Sequence, residues 1–223
     1  MTNKDNINNK NNNIDSNNKN KNSKLNKFIV FEGIDGSGKS TQAKMLADRI
    51  NAILDYEPTN SEVGKLIRKG LSEGCFEKET LALLFAGDRV EHCKELAKKL
   101  EKNHIVCDRY VYSSIVYQNT QGIDIEYIYN INRYARVPDI VVLLDLNPEL
   151  SMLRVNDRTG NNEIFEKIEF QKIIREKYLQ IFEDEKNKNK KSMFKPPIYI
   201  KIDANKSILE LHNEIYDLIK QHI

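Results

Sequence analysis

The chain has 223 residues, and its 35 basic and 33 acidic side chains give a formal net charge of only +2. This near balance gives no reason to expect nucleic acid or a charged membrane surface as a partner. The longest apolar run, residues 140–144, is too short to cross a bilayer, so no membrane span is predicted. The length suits one domain with a substantial core.

The two ends of the chain differ in composition. Residues 1–24 consist mainly of Asn and Lys, with only Met1, Ile7 and Ile14 to contribute to a core. Such a segment cannot bury enough apolar surface to offset its ordering entropy, so we predict a disordered tail at 1–24 and a domain at 25–223. The first 30 residues also lack the apolar centre of a secretory signal.

The cysteines indicate the compartment. Cys75, Cys93 and Cys107 are scattered without metal-ligand spacing, which is typical of free thiols in a reducing cytoplasm. We therefore expect a cytoplasmic protein.

Short β-rich apolar segments alternate with longer helical patterns along residues 25–223. The predicted strands are 27–32, 52–56, 104–107, 139–145 and 197–202. The predicted helices are 39–50, 61–72, 78–102, 113–119, 124–135, 148–157, 164–184 and 206–222. Five strands joined by crossover helices predict a three-layer, doubly wound α/β fold with a parallel sheet, whose ligands bind at the carboxyl ends of the strands.

The first predicted strand leads into a glycine-rich phosphate loop. Residues 33–40, GIDGSGKS, fit the pattern G-x-x-x-x-G-K-[ST] between a strand and a helix. Backbone N–H groups and the helix N-terminus bind phosphates there, Lys39 reaches the β and γ phosphates, and Ser40 is a ligand for Mg²⁺. The loop predicts a nucleoside triphosphate site but does not identify the phosphoryl acceptor.

Either water or a small molecule can accept the phosphoryl group. A guanine-specific GTPase is expected to carry an Asn-Lys-x-Asp stretch, and NKKS at 189–192 lacks the Asp. A small kinase instead needs a second pocket and cations that exclude water as the site closes.

The helix at 78–102 offers the first part of such a pocket. Phe85 and Arg89 lie four residues apart and therefore share one helical face. The ring suits stacking on a base, and the guanidinium suits hydrogen bonds to an exocyclic oxygen. A core Phe beside a solvated Arg is the alternative.

Two further segments supply charge. Asp108 and Arg109 follow the strand at 104–107, where a carboxylate can order Mg²⁺ waters and an arginine can bind an acceptor phosphate, although a surface ion pair is the alternative. Arg154 and Arg158 precede the turn TGNN and suit a mobile helical lid at about 154–166 that neutralises the transferring group. An exposed helix-loop-helix is the alternative for the lid.

Together these segments resemble the thymidylate kinases, a family of P-loop nucleoside monophosphate kinases. The resemblance extends from residue 28 to 223 and rests on FIVFEGIDGSGKST, EPT at 57–59, LLFAGDRVEH, DRYVYSSIVYQ, PDIVVLLDL and RTGNNEIFE. It implies a P-loop NTPase fold, phosphorylation of dTMP by ATP with Mg²⁺, and a homodimer. Another small-molecule kinase and a catalytically silent nucleotide-binding protein remain the alternatives.

The resemblance also implies roles for single residues at the acceptor site. Phe85 stacks on thymine, Arg89 bonds its O4, Arg109 binds the dTMP phosphate, and Asp35 contacts the 3′-hydroxyl or nearby Mg²⁺ waters. The other residues expected at dTMP are Glu57, Arg68, Ser113, Ser114, Tyr117 and Gln118.

At the donor site, the resemblance implies that ATP is bound by Gly33, Ile34, Asp35, Gly36, Ser37, Gly38, Lys39, Ser40 and Thr41. Ser40 and Asp108 serve Mg²⁺, and Lys39, Arg154 and Arg158 surround the γ phosphate. Some family members carry an arginine in the loop where this chain has Gly36 and Ser37. The catalytic arginine is therefore expected in the lid, at Arg158.

Overall fold

A computed structural model of the protein describes residues 25–159, 164–188 and 197–223. The predicted tail at 1–24 and the turn of the predicted lid, at 160–163, lie outside the described residues. Within the described part, no helix is long and apolar enough to cross a membrane.

Five parallel strands form one sheet in the order β2-β3-β1-β4-β5. The strands are β1 (Phe28–Glu32), β2 (Ile53–Tyr56), β3 (Ile105–Asp108), β4 (Ile140–Asp145) and β5 (Ile198–Asp203). Each lies within one residue of its predicted bounds, and the α/β fold with a parallel sheet is confirmed.

Eight helices lie within the described residues. They are α1 (Lys39–Ile50), α2 (Glu62–Glu73), α3 (Lys78–Leu100), α4 (Val111–Thr120), α5 (Ile125–Ile131), α6 (Pro148–Thr159), α7 (Ile164–Lys188) and α8 (Ile208–Ile219). The predicted helix at 124–135 extends four residues beyond the observed end of α5. The helix ends where the Asn132 side chain donates to the Ile128 carbonyl at 2.8 Å and its backbone leaves the helical conformation.

The central strand β1 is buried on both faces, as its unbroken apolar sequence predicts. Phe28 and Val30 pack with Leu96 and Leu100 of α3, while Ile29 belongs to the cluster that contains residues of α1 and α8. The alternation of side chains along β1 thus gives the sheet a helical layer on each face.

The register between β1 and β3 positions the functional segments. Phe31 lies opposite Asp108, and the Arg109 amide donates to the Phe31 carbonyl at 2.9 Å. Because both strands end at the same edge, Asp108 and Arg109 emerge beside the phosphate loop that follows β1.

Candidate active site

The phosphate loop is shaped by glycines that no other residue can replace without strain. Gly36 has φ +76°, and a Cβ placed there would lie 2.5 Å from the Ser151 carbonyl oxygen of α6. Gly33 has φ +144°, and its Cβ would lie 2.6 Å from the Leu144 carbonyl oxygen. The packing of α6 against the loop leaves no room for a side chain at position 36.

Lys39, the first residue of α1, is 5% exposed, and its Nζ donates to the Ile34 carbonyl of the loop at 2.7 Å. Burial, reinforced by the positive charge of Arg109, lowers the pKa of Lys39 to about 7, although nearby carboxylates oppose the shift. The ammonium group therefore lies inside the loop, where a phosphate would replace the carbonyl as its partner.

Ser40 and Asp108 meet at the predicted metal position. The Ser40 hydroxyl donates to Asp108 Oδ2, while the buried Asp108 Oδ1 has no hydrogen-bond partner in the part of the chain that the structure describes. An unsatisfied carboxylate oxygen beside a hydroxyl fits a hard cation. Among the described residues no group of three or more His, Cys, Asp or Glu side chains forms a metal cage. This arrangement suits Mg²⁺, which takes its remaining ligands from phosphates and water.

Arg109 lies between the phosphate loop and the neighbouring cavity. Its guanidinium donates to Asp35 of the loop and, at 3.1 Å, to the Ser113 hydroxyl, and it lies 5.3 Å from the centre of the Tyr117 ring. The backbone of Arg109 has φ +68°, an uncommon value for a non-glycine residue. Strain of this kind is typical of a functional turn held by its surroundings.

Glu32, which the sequence analysis did not single out, holds this turn. The buried carboxylate accepts hydrogen bonds from the Tyr110 amide at 2.9 Å, the Ser113 hydroxyl at 2.6 Å and the Tyr178 hydroxyl at 3.0 Å. Burial raises the pKa of Glu32, while these hydrogen bonds and the charge of Arg109 oppose the rise. A Glu closing a wholly apolar strand was the available signal, because a buried carboxylate requires partners.

A cavity of about 340 Å³ opens beside Arg109. Nine of the predicted acceptor-site residues line it: Asp35, Glu57, Phe85, Arg89, Arg109, Ser113, Ser114, Tyr117 and Gln118. Leu71, Leu81 and Gln121 also line it and were not predicted. Among the described residues, the buried Gln118 Oε1 has no hydrogen-bond partner, which leaves an acceptor available to a ligand.

Arg89 is 2% exposed and not solvated, so the alternative of a solvated arginine on α3 is wrong. Its Nε donates to Glu57 Oε2 at 2.8 Å, its Nη2 to the Ser114 hydroxyl at 2.9 Å, and its Nη1 to Asn132 Oδ1. A guanidinium has five N–H groups, so these contacts fix its plane and leave donor capacity toward the cavity.

Comparisons with known proteins agree with this geometry. Residues 31–215 match the thymidylate kinase family model. The chain belongs to the thymidylate kinase family. It is 53% identical to a probable thymidylate kinase of Methanococcus aeolicus, over 86% of this chain and 94% of the relative. It is 48% identical to a probable thymidylate kinase of Methanocaldococcus jannaschii, over 87% of this chain and 96% of the relative. It is 43% identical to a probable thymidylate kinase of Thermococcus gammatolerans, over 88% of this chain and 97% of the relative.

Two of the predicted arginines, Arg68 and Arg154, are absent from the cavity lining. Arg68 lines an adjoining cavity with Asp108 and Arg109, where its Nη1 donates to the Pro58 carbonyl at 2.9 Å. Arg154 directs Nη2 toward the Ala204 carbonyl after β5, at 3.5 Å. The side chain of Arg158 lies outside the described residues.

Proposed function

We propose that this thymidylate kinase family member transfers the γ-phosphoryl group of ATP to dTMP and releases dTDP. The observation that carries the proposal is the cavity beside the phosphate loop. Phe85 and Arg89 lie on its α3 side, and Arg109 and Asp35 lie where the loop begins. One site therefore offers a surface for a base, donors for its oxygen and a cation for its phosphate.

The base is selected at α3. Phe85 stacks on thymine while the fixed guanidinium of Arg89 donates to O4, which is an acceptor in thymine and uracil. Cytosine carries an amino group there and leaves that donor unpaired, which is costly in a buried site. Gln118 Oε1 supplies an acceptor for the base N–H.

The transfer step is served by positioning and charge. Arg109 binds the acceptor phosphate and Asp35 keeps its guanidinium directed toward the loop. Lys39 binds the β and γ phosphates once they displace the Ile34 carbonyl. Ser40 and Asp108 would hold Mg²⁺, which would neutralise charge on the donor phosphates. We assign the remaining lid cation to Arg158, with Arg154 as its neighbour.

A coupled assay tests the activity. ADP release is measured with dTMP, dUMP, dCMP, AMP and shikimate at equal concentration, and with Lys39→Met as the inactive control. We expect turnover of dTMP to exceed that of dCMP and AMP by at least about tenfold, as an unpaired buried donor predicts. Faster turnover of any acceptor other than dTMP or dUMP would contradict the proposal.

We further propose a homodimer in the cytoplasm. Leu83 and Val90, seven residues apart on α3, are 52% and 42% exposed, and Leu66 of the adjoining α2 is 39% exposed. An apolar face of this kind is typical of a subunit interface. Light scattering is expected to give a dimer that Leu83→Glu dissociates, whereas Leu209→Glu on the exposed side of α8 leaves it intact.

The proposed cytoplasmic location rests on the free thiols of all three cysteines.

The domain assignment, with a separate segment at 1–24, stays a proposal. Deleting residues 1–24 is expected to leave the melting temperature and kcat nearly unchanged, since the segment offers almost no apolar side chains to the core. A large loss of melting temperature or kcat would contradict the assignment and make residues 1–24 part of the folded domain.

A further inference from the structure

Behind Glu57, a second row of charged side chains leads from the acceptor pocket to the protein surface. Glu57 Oε2 accepts a hydrogen bond from Arg89 Nε, and Glu57 Oε1 lies 2.9 Å from Nδ1 of His92. The other ring nitrogen, Nε2, lies 3.2 Å from Asp55 Oδ2, which in turn lies 2.6 Å from the Lys99 ammonium. With His92 protonated, the charges of these side chains therefore alternate in sign from Arg89 to Lys99.

The two carboxylates beside His92 favour its protonated state. Its side chain is 1% exposed, and Nδ1 is hydrogen-bonded to Glu57 Oε1 at 2.9 Å. Nε2 lies at ion-pair distance, 3.2 Å, from Asp55 Oδ2 without hydrogen-bond geometry. A neutral imidazole has one N–H and one lone pair, so one carboxylate would face a lone pair. Only the imidazolium places a proton toward both Glu57 and Asp55.

We propose that His92, as an imidazolium, is a positioning residue for acceptor recognition, because it fixes the Glu57 carboxylate that orients Arg89 toward the base. His92 is absent from the lining of the acceptor cavity and therefore acts through Glu57. A neutral His92 has one N–H for two carboxylates and no charge to attract them, so Glu57 is held less firmly and the guanidinium paired with Oε2 moves with it. This inference rests on the proposed dTMP kinase activity.

The surroundings of His92 support a stable positive charge. Asp55 of β2 and Glu57 after it face the ring, and α3 itself contributes Arg89 on the inner side and Lys99 beyond Asp55. Burial alone would lower the pKa of His92, but its contacts with the two carboxylates raise it to about 9. A separate outer cavity of about 510 Å³, lined by His92 and Asp55 and also by Glu91, Glu95 and Lys99, gives protons access without passing the nucleotide site.

Steady-state kinetics of His92→Gln test the inference. Gln keeps an amide NH₂ that can donate but carries no charge, so we expect KM for dTMP to rise roughly tenfold, as loss of a charge-assisted hydrogen bond predicts. The preference for dTMP over dCMP falls by a similar factor, while KM for ATP stays unchanged. His212→Gln on α8, another buried histidine, is the matched control and keeps wild-type kinetics. A merely structural role would lower the melting temperature of His92→Gln without changing base preference.

The pH profile supplies the second readout. The ratio of the wild-type KM for dTMP to that of His92→Gln is expected to rise above about pH 9, where His92 deprotonates. Taking this ratio cancels the effect of substrate ionisation on KM. Asp55→Asn keeps the imidazole but removes one carboxylate, so it moves this rise to lower pH by about one unit. If His92→Gln fails to fold, the ratio of the wild-type KM for dTMP to that of Asp55→Asn supplies the test and is expected to fall between about pH 8 and pH 9.

Two results would overturn the inference: wild-type KM and base preference in His92→Gln, or a pH profile that Asp55→Asn does not shift. An inactive wild type would instead refute the proposed function.

Discussion

Replacing Arg89 with Met tests whether the α3 arginine recognises the base and also holds the pocket together. The substitution keeps most of the side-chain length but removes a buried guanidinium that lies 2.7 Å from Glu57 Oε2. Removing one partner of a buried ion pair typically costs about 3–5 kcal/mol. Since His92 still faces Glu57, we expect the lower end, about 3 kcal/mol. For a domain of this size that loss lowers the melting temperature by about 6–12 °C.

Two assays separate these effects. Urea unfolding measures the free-energy loss, and steady-state kinetics below the melting temperature measures recognition. KM for dTMP is expected to rise by at least tenfold and the preference for dTMP over dCMP to fall, because the donor to O4 is lost. ATP binding, followed by equilibrium titration, should persist because the phosphate loop is untouched.

The matched control is Arg49→Met, which removes a surface guanidinium 3.6 Å from the Tyr216 ring centre and far from the pocket. It is expected to cost about 0.5–1 kcal/mol and to leave base preference unchanged. A second variant, Glu57→Gln with Arg89→Met, leaves no unpaired carboxylate and should regain part of the lost stability but not the recognition. An unchanged acceptor profile in Arg89→Met would refute the assigned role.

Three further predictions follow from other parts of the molecule. Gly36→Ala should weaken ATP binding at least tenfold in equilibrium titration, because its Cβ would meet the Ser151 carbonyl at 2.5 Å at a positive φ. The free energy of unfolding of the wild type relative to that of His92→Gln should fall between about pH 6.5 and pH 9 by at most about 3 kcal/mol in urea unfolding. The opposite contribution of Lys39, whose pKa is lowered to about 7, cancels in this difference. The sign follows from a raised pKa in the folded state: the contribution is complete below the unfolded pKa and is lost as His92 deprotonates. Arg158→Ala should lower kcat by about 10³ with little change in KM, as expected for an arginine recruited in the transition state.

Local sequence patterns were sufficient to predict most of the fold. Each buried strand and amphipathic helix has a recognisable pattern within a short stretch of sequence, so its bounds were predicted to within a few residues. The end of α5 was missed because Asn132 is held by Arg89, 43 residues away, as well as by its own helix. No local pattern contains that partner.

The same distinction applies to the site. The place of Phe85, Arg89 and Arg109 around one cavity was predictable because their motifs are short and their residue types suit bases and phosphates. His92 lies in one of those motifs, yet its importance depends on facing Asp55 and Glu57 from another element. Glu32 likewise acquires its partners only when α4 and α7 pack over β1. Such roles belong to tertiary contacts and become visible only in the folded chain.

The contact between Gly36 and α6 also restricts how this enzyme can change over evolutionary time. A side chain at 36 would meet both the Ser151 carbonyl and the Val155 methyl group. The Ser151 hydroxyl also donates to the Asp35 carbonyl, so a shift of α6 would disturb the loop itself. A lineage that acquires a long side chain at position 36 must therefore change α6 as well.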